Sequence, residues 1–62
     1  MYKYEYLNEK ARECLAKVDQ FKGDIRLVAF YENAAKGFVQ RAARLTLAEA
    51  MVMVDDKGDE TK

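Results

Sequence analysis

Few residues of this 62-residue chain could do chemistry, and their spacing decides what each could do. Cys14 is the single thiol, and there is no His to activate it and no Ser. A nucleophile needs a neighbouring base, so Cys14 is expected to act as a small hydrophobe in a packing seam. Glu9 and Glu13 stand one helical turn apart, the spacing a carboxylate pair would need for acid–base work, but they fall on the side away from the apolar seam. The run Asp55-Asp56-Lys57-Gly58-Asp59-Glu60 is rich in oxygen ligands. It lacks the alternating ligand spacing of a calcium loop, and no Glu occupies its twelfth position. Gly23, Gly37 and Gly58 are too dispersed to cradle a phosphate. The expectation is no catalytic residue, no cofactor, no metal and no enzymatic activity.

Lys36, Gln40 and Arg44 recur every four residues with Arg41 beside them, a strip that could meet phosphates or an acidic partner. The overall charge argues against a nucleic-acid track. Eleven basic and eleven acidic side chains give a net charge of zero. By segment the balance is +1 over 1–23 (five basic, four acidic), +1 over 24–54 (four, three) and −2 over 55–62 (two, four). Nucleic-acid binders carry a basic footprint, so nucleic acid is not the expected partner.

The elements that position these residues are helical. Pro is absent and Gly occurs three times, while half the residues are apolar and 35% are charged, a globular balance. Tyr4, Leu7, Ala11, Cys14, Val18 and Phe21 follow a 3-4-3-4-3 spacing, the seam of a helix packed on another helix. This predicts a first helix over about 3–22, although Tyr2, Tyr4 and Tyr6 also alternate as a strand would. Gly23 is expected to close that helix in the left-handed conformation, and Asp24 to cap the next. Leu27, Val28, Tyr31, Ala34, Ala35, Phe38, Val39, Ala42 and Leu45 predict a second helix over about 25–45. Glu13–Lys17 and Glu32–Lys36 stand as i, i+4 pairs, and Gly37 among small residues would permit close approach of a further helix. Thr46-Leu47-Ala48-Glu49 has the capping-box pattern, which predicts a break and a short third helix over about 47–54.

The predicted fold is therefore all-α: an antiparallel helical hairpin with a short third helix in one domain over 1–54, followed by a disordered acidic tail over 55–62. A chain this small has one core and no possible internal disulfide, so self-association is the remaining source of stability. Two hairpins would make a four-helix bundle, a homodimer with Phe30, Tyr31, Phe38, Val39, Leu47, Val52 and Met53 at the interface. Tyr2 and Tyr6 lie off the seams and, with Lys36, Arg41 and Arg44, are candidate contacts for a protein partner. The expected function is protein–protein contact. The alternative is a small DNA-binding regulator or antitoxin: with residues 2–7 as a strand, the order strand, helix, helix resembles a ribbon–helix–helix dimer, whose strands read the groove. Glu5 and the neutral charge oppose it. No apolar run approaches the roughly 20 residues of a membrane span, and Met1-Tyr-Lys-Tyr-Glu has no secretory character. With the unpaired Cys14, a cytoplasmic location is expected.

Overall fold

The computed structural model describes residues 1–60. Three helices follow in order: α1 (Lys3–Gln20), α2 (Ile25–Arg44) and α3 (Leu47–Ala50). The first two pack antiparallel as the predicted hairpin, and the short α3 rests against α1.

Local chemistry explains each boundary. At the start of α1 the Glu5 carboxylate accepts from the Tyr2 backbone N–H at 3.2 Å. Residues 3–7 are helical, so the strand that a ribbon–helix–helix dimer requires there is not formed. Asp24 caps α2 as expected, its Oδ1 accepting from the N–H groups of Arg26 (3.0 Å) and Leu27 (3.3 Å). Such a cap contributes about 1 kcal/mol. Gly23 departs from expectation. The turn is closed by the Asp24 N–H donating to the Phe21 carbonyl at 2.9 Å, and Gly23 keeps a negative φ. A turn of this kind needs no left-handed residue, so its glycine is not a conformational necessity.

α2 ends at Arg44 with Leu45 as its C-cap, and Thr46 caps α3, its hydroxyl accepting from the Glu49 N–H at 3.2 Å and donating to the Glu49 carboxylate at 3.1 Å. The third helix is shorter than the predicted 47–54 and stops at Ala50. Beyond it the chain extends and pairs with the N-terminus. Lys3 N–H donates to the Val52 carbonyl (2.8 Å), Val54 N–H to the Met1 carbonyl (2.8 Å), and the terminal ammonium to the Val54 carbonyl (3.1 Å). Tyr2 and Met53 form an antiparallel bridge, and Val54 forms another with Glu60. β-branched Val52 and Val54 favour this extended backbone, and Val54 is 2% exposed between its two neighbours.

Residues 55–60, expected to belong to a structureless tail, are described as a turn. Asp55 Oδ1 accepts from the N–H groups of Lys57 and Asp59, both at 2.9 Å. Residues 61 and 62 of that expectation lie outside the described residues. Gly58 at the corner has φ +84°, and a Cβ there would stand 2.7–2.9 Å from the ring and hydroxyl of Tyr6. Both terms oppose a side chain, so Gly58→Ala is expected to lower stability by about 1–2 kcal/mol from the left-handed backbone alone. The check is a urea midpoint that falls, accompanied by faster amide exchange at Lys57 and Asp59.

The hairpin buries little. Among described residues the buried apolar side chains are Leu7, Ala11, Ala35 and Val54. Cys14, Val18 and Phe21 of the α1 seam are half-buried; Tyr4, assigned to the same seam, is 42% exposed. Tyr6, off the seam, is instead half-buried against the Gly58 turn. The molecule measures 42 × 20 × 12 Å with a radius of gyration of 12.9 Å. A compact chain of this length has a radius nearer 10.6 Å, roughly. The 12 Å dimension is one helix diameter, so the hairpin is a single layer with two wide faces.

Candidate interaction surface

The period of the helices sorts side chains onto those two faces. At about 100° per residue, positions nine apart point to opposite sides and positions eleven apart share a side. Lys3, Tyr6 and Leu7 of α1 line one groove with Arg41, Arg44 and Leu45, which places this side of α1 and this side of α2 on one face. Phe30 is eleven residues from Arg41 and shares that face. Leu15 is nine from Tyr6, and Val39 is nine from Phe30, so both belong to the opposite face. Tyr4 is eleven from Leu15, and Val28 eleven from Val39, and they join them.

The faces differ in chemistry. On the groove side, cations stand over aromatic rings: Lys10 lies 5.5 Å from the Tyr6 centroid, Lys17 6.0 Å from Phe21, and Arg41 5.7 Å from Phe38. The Lys10 ammonium donates to the Glu13 carboxylate at 3.3 Å, and this hydrogen bond and the carboxylate charge hold the Lys10 pKa above its ordinary value. Arg41 and Arg44 have no carboxylate within 4.0 Å among the described residues, whereas Lys3 pairs with Glu60 at 3.6 Å. On the other face stand Leu15 (55% exposed), Val39 (52%) and Tyr4 (42%), with half-buried Val18 and Val28 between them. Buried Ala11 and Ala35 lie on the line where α1 and α2 meet.

The residues expected to form one interface are therefore divided. Phe30 is exposed on the groove side and meets Tyr31 edge-on, with centroids 5.1 Å apart; Phe38 is half-buried there. Tyr31 is half-buried and stacks on Phe21 with centroids 6.1 Å apart. Val39 lies on the opposite face, Leu47 is exposed on α3, Val52 is half-buried, and Met53 is exposed beside the N-terminus. Among the candidate partner contacts, exposed Tyr2 stacks on Tyr4 with centroids 6.0 Å apart. Arg41 and Arg44 reach the groove, but Lys36 points away from it. Ion pairing differs as well: neither Glu13–Lys17 nor Glu32–Lys36 comes within 4.0 Å, and Lys10–Glu13 forms instead.

Leu15 and Ile25, the latter 85% exposed at the first position of α2, were not among the expected contacts. Their signal was present in Leu15 widening the α1 stripe and in Ile25 directly following the Asp24 cap. Gly37 leaves open space, since a Cβ there meets nothing within 4 Å, so no helix of the same chain approaches it closely. Cys14 is half-buried in the seam as expected, and Glu9 and Glu13 are exposed. Among the described residues no group of three His, Cys, Asp or Glu side chains could hold a metal ion, and no helix is long and apolar enough to cross a membrane. Comparison with models of known families, with characterised proteins and with solved structures finds no match to this chain.

Proposed function

We propose that this chain works as a non-enzymatic protein-interaction module that pairs with a second copy through the face bearing Tyr4, Leu15 and Val39. The observation that carries the reading is the single-layer shape: a slab 12 Å thick that leaves Tyr4, Leu15 and Val39 exposed together on one wide face. Stable domains need two packed layers to enclose a core, and a second hairpin laid on this face supplies the missing one. The chain exposes 4948 Å², more than the roughly 4,100 Å² expected of a compact chain of this mass, as its flat, elongated shape requires.

The face also suits a helix–helix contact chemically. It presents Leu15, Val18, Val28 and Val39; exposed Glu32, seven residues from Val39, shares the face, and exposed Lys36 stands at its edge. A two-fold arrangement makes the face self-complementary and yields a four-helix bundle. This keeps the expected homodimer and, of its expected interface, Val39; it adds Leu15 and Tyr4 and leaves Phe30 and Phe38 on the other face.

Dimerisation makes thermal stability depend on concentration by mass action. Across a hundredfold concentration range the unfolding midpoint is expected to rise by at least about 5 °C. A midpoint that stays constant over that range contradicts the proposal.

A further inference from the structure

The groove on the opposite face has a floor and a rim of different chemistry, and this is independent of the dimer. Its space of about 380 Å³ falls near the lower end of the roughly 300–1,000 Å³ typical of small-molecule sites. Buried Leu7 and half-buried Tyr6 and Leu45 form an apolar floor. Lys3, Arg41 and Arg44 reach its rim against one acid, Glu49, so the lining carries a net charge of +2 (three cations, one anion). Glu49 is engaged with the Thr46 hydroxyl at 3.1 Å and Lys3 with Glu60 at 3.6 Å, which leaves the two arginines without a charged partner among the described residues. Like charges one turn apart on a helix repel unless something neutralises them. The negative end of the α2 dipole offsets part of that repulsion and does not account for the apolar floor beneath.

We infer that this groove binds a small amphipathic anion, in which an apolar chain lies on Tyr6, Leu7 and Leu45 and a carboxylate or phosphate headgroup meets Arg41 and Arg44. Guanidinium groups match the planar and tetrahedral oxygens of both headgroups through paired N–H donors. The Gly58 turn, pressed on the Tyr6 ring, is one wall of the site. A polyanion such as a nucleic acid would engage the cations and leave the apolar floor unused.

The test is an amide-resolved NMR titration of the full chain, at about 50 mM salt to limit screening, with decanoate, decyl phosphate, decanol, inorganic phosphate and a short oligonucleotide as probes. Decanoate or decyl phosphate is expected to shift the Tyr6, Leu45 and Gly58 amides saturably, with whichever headgroup binds more tightly identifying the ligand class. Decanol and inorganic phosphate should each bind at least about tenfold more weakly, because each lacks one half of the recognition. Arg44→Gln should weaken the better probe by about three- to tenfold with an unchanged melting temperature, since Arg44 is exposed. Four results overturn the inference: no saturable shift with either alkyl anion, decanol binding as tightly as decanoate, inorganic phosphate or an oligonucleotide binding as tightly as decyl phosphate, or shifts confined to the Leu15 and Val39 face.

Discussion

Leu7→Ala is expected to leave the chain without a cooperative unfolding transition at 25 °C. Leu7 is 7% exposed and is the largest buried side chain of the α1 seam; its buried companions Ala11 and Ala35 are small. Removing a buried leucine costs about 2–5 kcal/mol, part lost transfer energy and part cavity. A core of this size supplies only about 3–5 kcal/mol in total. The substitution therefore removes most of the stability. Helical circular dichroism should fall by more than about half at micromolar concentration, because isolated helices of this length are marginal in water. A variant that still unfolds cooperatively with a midpoint within a few degrees of the parent would mean that the hairpin is held together elsewhere.

The second large effect separates fold from association. Leu15→Glu is expected to abolish self-association while the hairpin stays folded. Within one chain Leu15 is 55% exposed, so a carboxylate there remains in water and costs the monomer little. At the centre of an apolar interface the same carboxylate is desolvated and unpaired, and contact residues of this kind are worth about 2 kcal/mol or more. The dissociation constant should then rise by about thirtyfold or more. Val39→Glu should act in the same direction, and Phe30→Glu, on the other face, should not. If Leu15→Glu and Phe30→Glu changed association equally, the division into two faces would be wrong.

Much of the hairpin was legible because it is local. The 3-4-3-4-3 spacing marked Leu7, Ala11, Cys14, Val18 and Phe21 correctly, and Asp24 and Thr46 announced their caps by residue type and position. The extended segment after Ala50 was not legible. Met51-Val52-Met53-Val54 is a short apolar run that suits a helix or a strand equally, and its pairing partner Met1-Tyr2 lies at the other end of the chain. The Gly58 turn had a signal in the order Asp-Asp-Lys-Gly-Asp, which the charge of the segment outweighed.

The two faces needed one long-range fact. Phe30 and Val39 are nine residues apart, so helical period alone sets them on opposite sides of α2. Which side shares a face with Tyr6 depends on how α1 and α2 cross, and no local pattern carries that. The groove was half legible for the same reason. Arg41 and Arg44 were marked by spacing, while Lys3, Tyr6 and Leu7 join them only once the hairpin closes.

Sedimentation equilibrium on the purified chain, with Leu15→Glu run beside it, measures the pairing of two hairpins most directly. The parent is expected at twice its 7.2 kDa chain mass at tens of micromolar, with Leu15→Glu at the single-chain mass. A parent that sediments as a single 7.2 kDa chain throughout that range, while unfolding cooperatively, would contradict the pairing.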